Sequence, residues 1–292
     1  MINAPEQSVP TVSAEELAAR GFRYVEHRLP DSTLKFEAIP LTEQEYLHPE
    51  EGYHMPNSTF HEEIAGDARD MLTRRYAADA ATLVLRDVNI YWEDPELEHN
   101  CPDVVVIFGA QNKDEFRESF HVAEEGARPS LIVEVVSPYY RKADRVTKVG
   151  MYERAGVQEY LIIDRRRYKG QLTFQALGYQ LLGGRYREIV PDEQNRILCE
   201  TVGVWFSMSE GHLVMEDAVS GERLLNSREL EARLREEQQA RETAELRARE
   251  EQQARETAEL RAREEQQARE SAEQQVAALQ ARLAELETGR GA

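Results

Sequence analysis

The sequence has few cysteines, few lysines and no long apolar run. Its 292 residues include two cysteines, Cys101 and Cys199, so a disulfide framework is excluded and a reducing compartment is expected. No stretch approaches the ~20 apolar residues that a membrane-spanning helix needs. The first residues have neither the cationic start nor the apolar segment of a signal peptide. We therefore expect a soluble, cytoplasmic protein with no membrane partner.

Positive charge is also scarce. The chain has 36 Lys and Arg against 55 Asp and Glu, a formal net charge of −19. Residues 1–222 carry 23 basic and 39 acidic side chains, whereas residues 223–292 carry 13 Arg and 16 Glu. Proteins that bind nucleic acid through its phosphates need basic surfaces. The sequence therefore predicts only weak non-specific affinity for DNA.

Glycine and proline are absent from residues 228–287. The segment EEQQARETAELRAR at 236–249 is repeated unchanged at 250–263, a period of two heptads. Strong helix formers dominate this region, so residues 223–292 are predicted to form a long helix. An apolar heptad seam near its end favours a coiled-coil homodimer, and a solvated single helix is the alternative. The seam consists of Ala272, Val276, Leu279, Leu283 and Leu286.

The rest of the chain divides into a tail and one domain. Residues 1–35 mix Pro, Ser and charged residues and are expected to form a flexible tail. Residues 36–222 alternate between helical and strand patterns, which predicts an α/β domain with a mixed sheet. The predicted elements are a helix over 60–76, strands over 82–92, 103–108 and 131–136, a helix over 144–155 and a strand over 159–164.

Two of these strands contain a carboxylate that does not suit an apolar core. Asp103 opens DVVVIF, and Glu134 lies inside LIVEVV. A lone buried carboxylate is costly unless it is paired or binds a cation. Two of them on neighbouring strands suggest a shared hard cation such as Mg²⁺. The alternative is that each carboxylate lies at a strand edge and reaches solvent or a backbone N–H.

The helix that follows Glu134 adds a lysine. Asp144, Lys148 and Tyr152 are spaced i, i+4 and i+8 and share one face. Lysine occurs five times in the chain, and an ammonium beside metal-bound carboxylates can hold a scissile phosphate or orient a water. The alternative is a surface pair between Asp144 and Lys148, which would contribute at most ~0.5 kcal/mol.

Four blocks in this order, CPDVVVIFG, PSLIVEVVSP, D-x-x-x-K-x-x-x-Y and EYLIID, resemble the Uma-type family of bacterial restriction-endonuclease-like proteins. The resemblance covers about residues 40–215 and implies a PD-(D/E)XK core of element order αβββαβ. Pro102, Asp103 and Glu134 match the motif. The usual lysine position holds Val136, so the resemblance implies that Lys148 takes the lysine role from the next helix.

The resemblance implies a metal-dependent endonuclease that hydrolyses DNA phosphodiester bonds. Asp103, Glu134 and the backbone carbonyl of Val135 would hold Mg²⁺ or Mn²⁺, and Lys148 would stabilise developing charge. Four further residues are auxiliary candidates: His61 and Glu63 in the first helix, Asp87 in the next strand, and Tyr152.

Two non-enzymatic interpretations stay open beside the nuclease. One is a degenerate nuclease fold that recruits partners or oligomerises through its helix, and the other is a coiled-coil adaptor with an inert head. The enzyme is favoured because both acids and Lys148 are present. Basic residues near the second helix form either a DNA-facing patch or an ordinary loop surface, and Asp164 is expected to cap a turn. These basic residues are Arg141, Lys142, Arg145, Arg165–Arg167 and Lys169.

Overall fold

The computed structural model describes residues 12–288, with side chains to residue 282. The chain separates into two compact units, with the boundary between Ser227 and Arg228. The predicted boundary lies five residues earlier, at 222/223. The difference arises because Arg223 and Leu224 still belong to the first unit, where they form the last strand of a small sheet.

The first unit begins with a helix and a hairpin. Its first elements are α1 (Ala14–Arg20), β1 (Phe22–Arg28), β2 (Leu34–Pro40) and α2 (Glu43–Leu47). A flexible tail was predicted to residue 35, because few apolar residues occur there. The described part of that segment is instead held by the β1–β2 ladder and by reciprocal backbone hydrogen bonds between Phe22 and His54. Residues 1–11 of the predicted tail lie outside the described residues.

The other elements of this unit form two larger sheets with flanking helices and one pair of short strands. They are, in chain order, α3 (Thr59–Arg75), β3 (Thr82–Arg86), β4 (Asn89–Tyr91), β5 (Val104–Phe108), β6 (Ser119–His121), α4 (Val122–Glu125), β7 (Pro129–Val135), a π-helical turn (Ala143–Thr147), α5 (Lys148–Ala155), β8 (Glu159–Tyr168), β9 (Gln171–Leu182), β10 (Arg185–Ile189), β11 (Ile197–Cys199), β12 (Val204–Ser209), β13 (His212–Asp217) and β14 (Arg223–Leu224).

The central sheet has six strands in the order β10-β9-β8-β7-β5-β3. Only β7 and β8 are parallel, and the other neighbours are antiparallel. The series α3, β3, β5, β7, α5 and β8 has the predicted αβββαβ order, so the predicted α/β fold class with a mixed sheet is confirmed.

Both faces of the central sheet are covered, which is why β5 and β7 are nearly continuous runs of branched aliphatic residues. On one face, Ile64 and Leu72 of α3 pack in a core with the sheet β11–β14. On the other face, Tyr152 of α5 packs with Ile132 and Ile162. The ends of β5, β7 and β8 therefore lie between two layers, which can position side chains rigidly.

Residues 82–92 were predicted as a single strand, but the chain turns inside them. β3 ends at Arg86, and Asp87 has a φ of 52°, a left-handed conformation that Asp tolerates better than most residues. β4 then leaves the central sheet and pairs with β6. Alternation of polar and apolar residues cannot reveal such a turn, because the pattern continues across it.

The described part of the second unit is one helix, α6 (Ser227–Thr288). This confirms the predicted long C-terminal helix. Its apolar residues Val276 and Leu279 are exposed, and the side chains of Leu283 and Leu286 lie outside the described residues. The homodimer stays a prediction. No helix in residues 12–288 is both long and apolar enough to span a membrane.

Candidate functional site

The register of two strands brings Asp103 and Glu134 together. Val104 of β5 pairs with Val133 of β7 in the antiparallel ladder, so the preceding residue Asp103 faces the following residue Glu134. Both are buried. The Asp103 Oδ2 atom accepts a hydrogen bond of 2.6 Å from the backbone N–H of Val135. The Asp103 carboxylate thus accepts the hydrogen bond that a backbone carbonyl would accept if the β5–β7 ladder continued. This bond fixes the position of the carboxylate.

Glu134 is almost completely enclosed, with 1% of its surface exposed. Lys148 Nζ donates to its Oε2 at 2.9 Å, and the Tyr152 hydroxyl donates to its Oε1 at 2.7 Å. Burial raises the pKa of Glu134 to about 8, and the charges of Asp103 and Asp144 add to the effect, although Lys148 opposes it. Among the described residues, Lys148 is the one cation in contact with Glu134, and it is shared with Asp144.

Lys148 is held from two sides. Its Nζ lies 3.1 Å from Asp144 Oδ1, and the Tyr46 hydroxyl donates to the same oxygen at 2.9 Å. Burial opposes the charge of Lys148, but Glu134 and Asp144 raise the pKa of its ammonium well above the ordinary value. Asp144, Lys148 and Tyr152 share one face, as their spacing predicts. Because that face is buried, the alternative of a surface pair is wrong.

His61 binds the other acid. It lies in the first turn of α3, whose N-cap is Ser58, and its Nε2 is 3.0 Å from Asp103 Oδ2. Burial opposes protonation, but the charge of Asp103 raises the pKa of His61 to about 8. Conversely, although burial opposes it, the charge of His61 holds the pKa of Asp103 below the usual range. The pair is therefore charged at neutral pH.

The two remaining acidic candidates lie in different places. Asp87 lines the same cleft as Asp103, and partial burial together with the charge of Asp103 raises its pKa. Glu63 follows His61 by two residues and so faces another side of the helix. Its Oε1 lies 2.7 Å from His212 Nδ1. The structure thus brings Asp87 to the site and directs Glu63 away from it.

His61, Asp87, Asp103 and Lys148 line a cleft of about 1080 Å³, and Glu134 contacts the lining residue Lys148. Acids outnumber basic side chains among the described lining residues. Among the described lining residues, Lys148 is the one Lys or Arg. The acids there are Glu50, Glu51, Glu62, Asp87, Asp103 and Glu118. The cleft therefore favours a cation and disfavours a bare phosphate chain.

Tyr46 and Asn100 support the site and were missed by the sequence analysis. Asn100 is fully buried and donates to the Tyr152 hydroxyl, while its Oδ1 accepts from Trp92 Nε1 at 2.9 Å. Tyr46 is 98 residues from Asp144. Neither contact has a local sequence signal, because each depends on elements that are distant along the chain.

Asp164 does not cap a turn, as was expected, because β8 continues past it to Tyr168. It is fully buried and accepts hydrogen bonds from Arg141, Arg145 and Arg166. Although burial opposes it, these guanidinium groups hold the pKa of Asp164 below the usual range. Three of the predicted basic-patch residues therefore converge on one carboxylate.

The donor atoms around Asp103 and Glu134 fit a hard divalent cation. Residues 12–288 contain no group of three or more His, Cys, Asp and Glu side chains arranged as a complete ligand set, but Mg²⁺ usually takes only one or two carboxylates plus waters. A carboxylate offers about four lone-pair sites, so both acids keep acceptor capacity beside their protein hydrogen bonds. The nearby Ser137 Oγ is buried and has no hydrogen-bond partner among the described residues.

Comparison with known proteins gives matches to solved structures and to a family model. A crystal structure from Anabaena variabilis, described as "a putative nuclease belonging to DUF820", is similar at 13% identity, over 56% of this chain and 86% of that chain, with a TM-score of 0.39. A search of curated proteins gives no significant match. The model of the Uma2 family, described as "Putative restriction endonuclease", matches residues 34–209. Because this match spans more than half of the chain, the chain belongs to the Uma2 family.

Proposed function

We propose that this protein is a metal-dependent endonuclease that hydrolyses DNA phosphodiester bonds, with Asp103, Glu134 and Lys148 as its catalytic residues. One observation carries the proposal. Two buried carboxylates face each other on neighbouring strands, and the ammonium of Lys148 lies 2.9 Å from one of them beside an open cleft. Membership of the Uma2 family supports the same reaction class.

The metal would be Mg²⁺ or Mn²⁺, held by Asp103, Glu134 and the backbone carbonyl of Val135. When bound there, such an ion polarises a phosphate and lowers the pKa of a coordinated water. The shortage of positive charge around Glu134 supports this assignment. Oxygen donors are also what these hard cations prefer.

Lys148 would stabilise the negative charge that develops on the phosphate. An ammonium has three N–H donors. Glu134 and Asp144 engage two of them, so one donor stays available for a phosphate oxygen at the cleft. Tyr46 and Asp144 act as positioning residues, because they fix where the ammonium lies.

His61 and Tyr152 are also positioning residues in this scheme. His61 keeps Asp103 ionised and holds one of its oxygens. Tyr152 binds Glu134 through its hydroxyl and is itself held by Asn100. Both acids are thereby kept in place before any ligand binds, which reduces the reorganisation needed for the reaction.

A plasmid-nicking assay in Mg²⁺ and in Mn²⁺ tests this function. Glu134→Gln and Lys148→Gln should each lower the cleavage rate by about 10²–10³-fold, as expected for the loss of an electrostatic stabiliser. Lys35→Gln, an exposed lysine of β2, is the matched control and should cut like the parent. A parent that is inert in both metals, or variants that cut equally well, would favour the non-catalytic interaction module.

We also propose that α6 joins two copies of the chain. Val276 and Leu279 are exposed and occupy heptad positions, and two copies would supply two sites for double-strand cleavage. Light scattering at micromolar concentration should give the mass of a dimer for the full chain and of a monomer for the double variant Val276→Glu, Leu279→Glu. A monomeric parent would contradict the proposal.

A further inference from the structure

The acidic cleft leaves open how a polyanionic substrate is held. Basic side chains are concentrated elsewhere in the first unit, at the end of the β8–β9 hairpin and in the segment that precedes α5. We call this group the basic hairpin surface: Arg141, Arg145, Arg165, Arg166, Arg167 and Lys169. We propose that the basic hairpin surface binds the phosphate backbone of the nucleic acid, with its arginines organised by Asp164. This inference rests on the proposed function.

The sequence around the hairpin is free of negative charge. No Asp or Glu occurs between Arg165 and Arg187, in a chain that has 55 of them. β8 and β9 pair from Glu159↔Gln180 to Tyr168↔Gln171, whereas β7 pairs with β8 only as far as Ile163. The end of the hairpin therefore extends beyond β7, and Arg166, Arg167 and Lys169 are exposed there.

Asp164 arranges the arginines. Arg145 Nη1 lies 2.5 Å and Arg166 Nε 2.9 Å from its Oδ2, and Arg141 Nη1 binds its Oδ1. A guanidinium has five N–H donors in a fixed fork, so each arginine retains donors for another anion. The three side chains stay partly exposed. Three cations around one carboxylate leave a net positive charge. Because Asp164 already holds these side chains, they lose little conformational entropy when they bind a phosphate.

This surface begins at the same edge of the sheet as the candidate site. β7 and β8 are parallel, Glu134 pairs with Ile162, and Asp164 lies two residues further along β8 on the same face. Arg165 points to the opposite face, where its guanidinium lies 4.6 Å from the centre of the Phe60 ring. Cations thus lie on both faces of the central sheet near the end of β7. A backbone held there would place a neighbouring phosphodiester at the cleft.

The test is fluorescence anisotropy of a labelled DNA duplex with the full-length protein in Ca²⁺, measured over a series of salt concentrations. Arg145→Gln, Arg167→Gln and Lys169→Gln should each reduce the slope of log K against log[salt] by about 1, and the triple variant by about 3. The matched control is Arg28→Gln, Lys35→Gln, Arg69→Gln, which removes the same charge elsewhere in the first unit. It should bind like the parent, and an equal loss in both triple variants would overturn the inference.

Asp164→Asn tests the organising role separately. This substitution makes the surface more positive by one charge, so binding would tighten if only net charge mattered. We expect the affinity to fall about tenfold, because the arginines lose their common partner. Tighter binding would overturn the role of Asp164. If this variant does not fold, the triple variant still decides whether the surface binds DNA.

The two proposals fail in different ways. If the triple variant binds DNA like the parent while the parent still cuts in a Glu134-dependent manner, the surface is wrong and the nuclease stands. If the parent binds with the expected salt dependence but never cuts in Mg²⁺ or Mn²⁺, the nuclease is wrong and the surface stands.

Discussion

Glu134 and Asp164 are two buried carboxylates on the neighbouring parallel strands β7 and β8, yet their pKa values move in opposite directions. Both are almost completely enclosed, with 1% and 0% of their surface exposed. The pKa of Glu134 rises to about 8, mainly through burial. The pKa of Asp164 falls, because three guanidinium groups outweigh its burial.

The number of cations explains the difference. Glu134 shares one ammonium with Asp144, and Asp103 adds a further negative charge beside it. Asp164 has Arg141, Arg145 and Arg166 to itself. An acid that lacks positive charge can accept a metal ion, whereas an acid that is saturated with arginines can only organise them. The comparison therefore supports the proposed roles, metal binding on β7 and substrate binding on β8.

The largest expected effect is a split in kinetic behaviour. Glu134→Gln should lower kcat by about 10²–10³-fold, because it removes a proposed ligand of the metal. Asp164→Asn should instead raise KM by about tenfold while kcat changes only a few-fold, because it weakens substrate holding. Steady-state cleavage of a labelled duplex measures both constants. If both variants changed the same constant, the distinction between Glu134 and Asp164 would be contradicted.

Stability should change most at Asp164. Asp164→Asn leaves three guanidinium groups around a neutral amide and should lower the free energy of unfolding by about 2 kcal/mol at neutral pH. That value is below the range for fully buried pairs, because the arginines are partly exposed. Glu134→Gln should lower the free energy of unfolding by less, since burial already disfavours the ionised glutamate. Urea denaturation in chelator measures both, and a greater loss for Glu134→Gln would contradict the account.

The pH dependence of stability should have opposite signs at the two acids. In chelator, the folded protein keeps the Glu134 proton until about pH 8, whereas the unfolded chain releases it near pH 4.5. Stability should therefore fall as the pH rises from about 4.5 to about 8, and Glu134→Gln should abolish this fall. The contribution of Asp164 is present above pH 3.8 and is lost as the pH falls. Thermal denaturation across pH, with Asp164→Asn beside it, separates the two.

The smallest effect is expected at Glu63. Its partner His212 is half-exposed, so Glu63→Gln should change the free energy of unfolding by less than about 0.5 kcal/mol and leave cleavage unchanged. His61→Gln, two residues earlier, should lower cleavage, because it releases Asp103. Equal effects of the two variants on cleavage would contradict the proposal that His61, and not Glu63, belongs to the site.

Local patterns were enough to predict which side chains meet at the centre of the candidate site. The acids of two β-branched strands gave Asp103 and Glu134, and helical spacing placed Lys148 and Tyr152 on one face. Contacts between distant segments could not be predicted, and so Tyr46 and Asn100 were missed. Asp164 was misassigned for the same reason. Its strand LIID is much like LIVEVV, and only the three-dimensional structure shows how many cations surround each acid.

The same limit explains the errors in the fold. The αβββαβ order follows from alternating hydrophobic periods, which are local. β4 pairs with β6, and Phe22 of β1 bonds to the backbone of His54, and the local pattern identifies neither partner.

The most direct test of the account is Mn²⁺ binding by isothermal titration calorimetry to the parent, Glu134→Gln and Asp164→Asn. We predict that the parent binds Mn²⁺, that Glu134→Gln binds it at least about tenfold more weakly, and that Asp164→Asn binds it like the parent. Unchanged binding to Glu134→Gln, or loss of binding in Asp164→Asn, would contradict the assignment of the metal to Glu134.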